Sequence, residues 1–343
     1  MLKALKAALL PLAAVMVSLA GATGAAAAPA PLTGPVKLTF AAQELGSAAY
    51  NYTSALQVVM FRALPEGSDI LVTTNSPGGV DASILVNEGR CDMVLSNTIS
   101  AKWAVEGKLP GESPASNVAT LGGGLGHDFT NVMFTKRFVD ETGIRTVEEL
   151  VAKKYPVKLV IKKDGTLGEL TAEKVLEAVG IAFEDIRSWG GVVEKTSSYD
   201  IKVGLQEDLF DMTIDHIGAG QLNTTELCMT QDMVQVQLSD ETLQKLVADG
   251  YDYITIEPQT WNGQTEAIKS AGSQQLLLVP ASMNESVAYT LTKAICDGAD
   301  ELGRRVDALK YFDPKTAGNR AVAGVPLHPG ARAYYEEQGW LAE

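Results

Sequence analysis

Residues 75–97, Asn75-Ser-Pro-Gly-Gly-Val-Asp-Ala-Ser-Ile-Leu-Val-Asn-Glu-Gly-Arg-Cys-Asp-Met-Val-Leu-Ser-Asn97, read as a complete loop–helix–strand unit. The β-branched run at 70–74 just before them suits a strand. Ser76, Pro77, Gly78 and Gly79 break that strand and let the backbone approach closely. A helix of two to three turns follows, with Ala82, Leu85 and Val86 as its apolar side, and Gly89 stands where a left-handed helix stop is wanted. The next strand, 92–96, ends in Ser96 and Asn97. Two loops, one glycine-rich and one polar, should therefore emerge at the carboxyl edge of a parallel sheet, where open α/β sheets bind small molecules. A helix amino terminus at that edge offers free N–H groups and a positive dipole end to an anion.

The chain has 343 residues, 46% apolar and 20% charged, enough for two domains with real cores. Residues 1–28 read as a cleaved secretory signal peptide: Lys3 and Lys6, then an alanine-rich apolar stretch, then small residues ending at Ala25-Ala-Ala-Ala28. This predicts a periplasmic protein. The net charge is −14, and losing the two leader lysines makes the remainder more acidic. Nucleic acid and anionic membrane surfaces are thereby disfavoured as partners. Local dipoles can still hold an anion, because distant charge is screened beyond about 8 Å at physiological salt. Cys91, Cys228 and Cys296 are odd in number and widely spaced, without C-x-x-C. They predict no metal cluster, leave at most one disulfide with no assignable pairing, and suit small buried fillers.

Further along, the spacing predicts a strand at 36–41, a helix ending near Ala63, and a strand at 118–121 running into Gly122-Gly-Gly-Leu-Gly126. An extended apolar segment at 131–135 reads as a crossing between lobes. Thr146 and Glu149 form a capping-box pattern. A second strand–glycine loop–helix unit follows: strand 157–161, loop Asp164-Gly-Thr-Leu-Gly168, helix 169–179, with Gly180 as the stop. A strand at 210–214 leads to a loop at 215–221. Helices are expected at 199–206 and 239–249, a return strand at 275–279, one long helix at 285–302 and a proline-fixed closing helix after Val325. The expected architecture is α/β and two-lobed: lobe 1 from 29–132 plus 275–343, lobe 2 from 133–274, with a hinge and a central cleft that closes on ligand.

Enzyme motifs are missing from the sequence. His127, His216 and His328 form no H-E-x-x-H, and there is no G-x-S-x-G or phosphate-binding G-x-x-x-x-G-K-[ST]. No catalytic residue, metal or cofactor is expected. The anion-site candidates are Ser76, Gly78, Gly79 and Val80 in one loop and Gly165, Thr166 and Leu167 in the other. Asn97, His216 and Gln221 stand at strand ends where a side chain can read a ligand, and Tyr50 and Trp189 are candidate cleft walls. His328, between two prolines, reads as structural.

Spread over these segments, Gly46-Ser-Ala-Ala-Tyr50, Asn75-Ser-Pro-Gly-Gly-Val80, the block at 87–96, Asp164-Gly-Thr-Leu-Gly-Glu169 and the tail Val325-Pro-Leu-His-Pro-Gly-Ala331 with Tyr334, Tyr335 and Gly339 resemble the TAXI group of TRAP transporter substrate-binding proteins. The resemblance implies a type II periplasmic-binding fold and a monomeric receptor. Its ligand would be a small organic anion such as 2-oxoglutarate, another dicarboxylate or glutamate, delivered to TRAP membrane subunits. It also implies ligand contacts from Gly46, Ser47 and Tyr50, from Gly78, Gly79 and Val80 beside Asn97, and from Gly165, Thr166 and Glu169. The chain departs from the family pattern at Ser47-Ala-Ala49 and at Leu167, which replace more polar residues. A receptor for an ATP-driven importer or a sensor is the next reading, and a degenerate secreted hydrolase the least favoured.

Overall fold

The computed structural model describes residues 28–341 except Gly46, Pro77 and residues 110–112. The expected signal peptide thus lies almost wholly outside the described residues, as does Gly46. The first run of elements is β1 (Lys37–Ala41), α1 (Ala48–Arg62), β2 (Asp69–Thr73), α2 (Gly79–Asn87), β3 (Met93–Asn97), α3 (Thr98–Glu106) and β4 (Ala119–Gly122). The second is β5 (His127–Thr135), α4 (Lys136–Thr142), α5 (Val147–Lys153), β6 (Lys158–Lys162), α6 (Leu167–Ala178), α7 (Phe183–Ser188), β7 (Val192–Thr196), α8 (Ser198–Gln206), β8 (Met212–Gly218), α9 (Leu222–Thr230), β9 (Met233–Gln235), α10 (Asp240–Ala248) and β10 (Asp252–Ile256). Then β11 (Ile268–Val279) leads into α11 (Glu285–Asp297), α12 (Ala299–Arg305), α13 (Pro314–Ala317), α14 (Arg320–Ala323) and α15 (Pro329–Glu337).

The described strands form one sheet in the order β2-β1-β3-β11-β5-β8-β6-β7, with β4 and β10 on β11 and β9 on β5. β1 is parallel to both β2 and β3, and β6 is parallel to both β7 and β8. Parallel neighbours require crossovers, which the intervening helices supply. The two parallel groups meet through β11. Residues 275–278 of that strand pair antiparallel with β3, while 272–274 pair antiparallel with the start of β5.

Several expectations shift once neighbours are counted. The crossing segment expected at 131–135 is part of a strand that begins at His127, and the return strand expected at 275–279 begins at Ile268. The strand expected at 210–214 is β8, which continues through Asp215 and His216. These two polar residues are strand, not loop, because β5 pairs with them on one side and tertiary context overrides propensity. Asp211, just before β8, receives the Lys158 N–H at 2.9 Å and the Arg137 guanidinium at 2.8 Å. Strands β7, β9 and β10 had no sequence-level expectation. The long helix expected at 285–302 is broken at Gly298, where a Cβ would stand 2.9 Å from the Ala294 carbonyl and 3.1 Å from Val59 on α1.

Local signals otherwise behave as their chemistry dictates. Gly89 and Gly180 end α2 and α6 with paired backbone bonds of the Schellman type, Arg90 N–H to Leu85 O and Ile181 N–H to Leu176 O. Thr146 caps α5 through the Glu149 N–H at 3.1 Å, but the Glu149 carboxylate accepts from Arg145 N–H rather than closing the box on Thr146. Thr166 caps α6, so that helix starts at Leu167. One core packs Phe40, Leu56, Met60, Leu291, Tyr334 and Tyr335 beneath α1, α11 and α15. A second runs continuously from Ala82 and Val86 through Trp103 to Leu167 and Val175, joining the two parallel groups. His328 accepts the Gly330 N–H on Nδ1 and lies 2.9 Å from the Met283 carbonyl through Nε2, which donates, so it holds the start of α15. All three cysteines are buried and unpaired, so no disulfide forms. Burial pushes the Cys91 thiol up to about 11.

Candidate ligand-binding cleft

Parallel strands followed by helices place every strand-to-helix loop of a group on one edge. Here the edges of both groups line the same cleft, of about 1150 Å³. Its wall includes Gln43 and Ser47 after β1, Ser76, Gly78 and Gly79 after β2, and Asn97 at the end of β3. Facing them are Lys163, Thr166, Leu167 and Gly168 after β6, Thr196 to Tyr199 at and after the end of β7, and Gly218, Gln221, Leu222 and Asn223 at and after the end of β8. Helices α1, α2, α3, α6, α8 and α9 all begin at this wall. Their N–H groups make it favourable to negative charge.

The two glycine loops touch. Gly78 and Gly79 have φ of +88° and +48°, a region that other residues rarely adopt. A Cβ on Gly79 would stand 2.7 Å from the Leu167 backbone nitrogen and 2.9 Å from its Cβ, and one on Gly78 would stand 2.0 Å from the Gln43 amide. Helix α2 thus begins hard against the start of α6. Gly78 supplies α2 with no side-chain cap. Ser76 instead turns its hydroxyl to the Gly78 N–H at 3.2 Å.

Of the residues singled out from the sequence, Ser47, Ser76, Gly78, Gly79, Asn97, Thr166, Leu167, His216 and Gln221 all lie on the cleft wall. Three of these also hold helix starts: Ser47 accepts the Tyr50 N–H, Thr166 the Glu169 N–H and Gln221 the Thr224 N–H. The structure places Tyr50, Val80, Gly165 and Glu169 off that wall. Val80 packs on the core, Glu169 pairs with Lys195 at 2.7 Å, and Gly165 faces Asp81. Trp189 packs against the core, and His127 is exposed at the start of β5.

Sequence reasoning named Asn97 and His216 but missed Asp128, Ser273 and Gln275 on the cleft floor, where β3, β11, β5 and β8 lie side by side. Asp128 accepts from Asn97 Nδ2 at 2.7 Å and Gln275 Nε2 at 3.0 Å, both on Oδ2. Asn97 also reaches Ser273 Oγ at 3.3 Å, and Ser273 Oγ lies 2.8 Å from His216 Nε2. Burial holds the Asp128 carboxyl above the usual range, against the two amide donors. Burial also lowers His216 to about 3, so the ring is neutral at ordinary pH. His216 Nδ1 and Gln275 Oε1 are buried without partners. The neighbouring carboxylate, Asp215, has a cation: Lys162 Nζ at 3.3 Å. The one signal that could have found Asp128 is an acid near the head of a strand whose burial is otherwise carried by Phe129, Val132, Met133 and Phe134.

The Ser273–His216 contact superficially resembles a nucleophile–base pair. Ser273 is only 2% exposed and is not on the cleft wall, and a histidine held near 3 is a feeble base. No cluster of three or more metal-ligating side chains occurs among the described residues. The arrangement can grip a small polar molecule between two groups of loops.

A family match covers residues 40–339, nearly the whole described chain. The chain belongs to the NMT1-like family. Its structure is also similar to the periplasmic binding protein BugD, with a TM-score of 0.52 at 15% identity, over 89% of this chain and 95% of that one. MatC from Rhodopseudomonas palustris with bound malate superposes with a TM-score of 0.55 at 12% identity, over 90% of this chain and 98% of that one. No curated protein sequence matches the chain. The fold of this NMT1-like family member is the two-lobed type II periplasmic-binding fold, with a hinge and a central cleft. No described helix is long and apolar enough to cross a membrane.

Proposed function

We propose that this protein is an extracytoplasmic solute receptor that captures a small carboxylate-bearing ligand by cleft closure and delivers it to a membrane carrier of the TAXI-type TRAP class. The observation that carries this reading is the meeting of the two glycine-loop helix starts at Gly79 and Leu167, inside a cleft walled by helix amino termini. Converging N–H groups and dipole ends suit a carboxylate. Lys163 is a cation on the wall with no ion pair among the described residues. The moving bodies are proposed to be 29–132 plus 275–343 and 133–274, hinged where β11 passes from β3 to β5, in a periplasmic monomer.

A thermal-shift panel of C4–C6 dicarboxylates, malate included, and the matching amino acids tests the reading. A ligand present at 100 times its Kd stabilises the protein by about 2.7 kcal/mol. If no carboxylate shifts the melting curve while a neutral or cationic compound does, the reading fails. Whether the carrier is TRAP-type or ATP-driven is read from the membrane subunits that co-purify with the receptor after crosslinking.

A further inference from the structure

Two carboxylates face the cleft from its central strands, and they are treated differently. Asp215 has Lys162 beside it and the His216 N–H on Oδ1 at 2.8 Å. Asp128, 8% exposed and on the cleft wall, has only neutral amides, and among the described residues no cationic side chain pairs with it. Both amides donate to Oδ2, which favours the ionised carboxylate. Its other oxygen, Oδ1, lies beside Gly218, itself on the wall, where a Cβ would stand 2.9 Å away. The backbone thus leaves room around that oxygen. A buried carboxylate without a cation is costly to keep and calls for a role.

Around it the floor offers acceptors. Gln275 Oε1 has no donor, and neutral His216 presents Nδ1 without a partner. If Nε2–H donates to Ser273, that Nδ1 is a second acceptor. Three acceptor sites therefore belong to neighbouring strands of the floor, β11, β5 and β8, while the donor-rich helix starts stand on the walls.

Resting on the receptor reading above, we propose that Asp128 selects the charge of the ligand: it receives a protonated amine, so the cleft prefers a zwitterion with an ammonium group over a dianion of the same carbon skeleton. The ammonium supplies the donors that Asp128 Oδ1, Gln275 Oε1 and His216 Nδ1 need. The carboxylate of the same molecule meets the N–H groups at the start of α2. A plain dicarboxylate would place a second negative charge against Asp128, or force that side chain to take up a proton.

Isothermal titration of the mature protein at pH 7.5 tests this with matched pairs: L-glutamate against glutarate and 2-oxoglutarate, and L-aspartate against succinate and malate. In the skeleton that binds, the amino compound should bind at least about tenfold more tightly, the lower end of what a charge-assisted hydrogen bond supplies. Asp128→Asn keeps the shape and should cut that preference by about 10- to 100-fold. The proposal is overturned if the ammonium-free acid binds as tightly as its amino partner, or if Asp128→Asn leaves the ratio unchanged. Should the variant fail to fold, the wild-type ratio alone decides. If no member of either series binds, the carboxylate-receptor reading falls and this inference with it; if the ammonium-free acids alone bind, only this inference falls.

Discussion

Replacing Gly79 by alanine separates contact across the cleft from local backbone strain. Gly79 and Gly89 sit at opposite ends of α2 and both have positive φ, +48° and +68°. A Cβ on Gly89 meets nothing within 4 Å, whereas one on Gly79 lies 2.7 Å from the Leu167 nitrogen. The left-handed conformation costs a non-glycine residue about 1–2 kcal/mol. Stiffening the unfolded chain returns about 0.4–1 kcal/mol of that. Gly89→Ala should therefore lose about 1 kcal/mol. Gly79→Ala carries the same loss plus a clash with backbone, and overpacking of this kind costs about 1–3 kcal/mol. The chain can relieve that clash only by moving α6 away from α2, which opens the cleft. The extra cost should thus appear as weaker ligand binding, about 5- to 100-fold, beyond any change in Gly89→Ala. Urea melts of both variants, titration with the tightest ligand of the panel and small-angle scattering give the comparison. If Gly79→Ala matches Gly89→Ala in all three, the loops do not meet as described and the closure argument is wrong.

Asp128→Asn also has a stability consequence. Because burial holds the folded carboxyl above its unfolded value of about 4, the folded state keeps its proton longer, and stability is lost as pH rises through the folded value. The ligand-free variant should be more stable than wild type at pH 7.5, by about 1–3 kcal/mol, with the gain shrinking towards pH 4 in urea melts; a gain that persists at pH 4 contradicts the burial argument. His328→Ala removes the cap on Gly330 and the bond to the Met283 carbonyl, and should cost about 1–2 kcal/mol, where His127→Ala on the exposed start of β5 costs little. Thiol titration with an aromatic disulfide should read almost nothing on the native protein and all three cysteines after denaturation, since every one is buried and Cys296 is pushed up to about 12; a fast-reacting native thiol would contradict that packing.

What the sequence made legible was local. Glycines at 78, 79, 89 and 180 and the hydroxyl of Thr146 announce turns and a cap because their chemistry acts within a few residues of itself. The α/β alternation and the facing glycine loops followed from those signals. Asn97 and His216 were legible as strand-end polar residues, but their floor partners Asp128, Ser273 and Gln275 were not, because these meet only through pairing of strands far apart in the chain: Asn97 lies opposite Gln275, and Asp128 lies opposite both Ser273 and Gly218. An aspartate in a strand of phenylalanine, valine and methionine looks like a local exception until its amide donors arrive from elsewhere. Likewise Gly298, where the expected long helix breaks, leaves no room for a side chain beside Val59 of α1, a demand invisible along the chain.

The position of β11 has a consequence for how the protein is made. Strands β1, β2 and β3 are synthesised long before β11, yet the neighbour that β3 needs on its other side is residues 275–278. Until those residues have emerged, β3 presents an unpaired apolar edge, and the early parallel group can only wait. Late closure of so distant a pairing predicts slow acquisition of structure and a nascent chain prone to sticking through that edge. A fragment ending before Ile268 would lack the strand common to both groups, and should not form a cooperative fold.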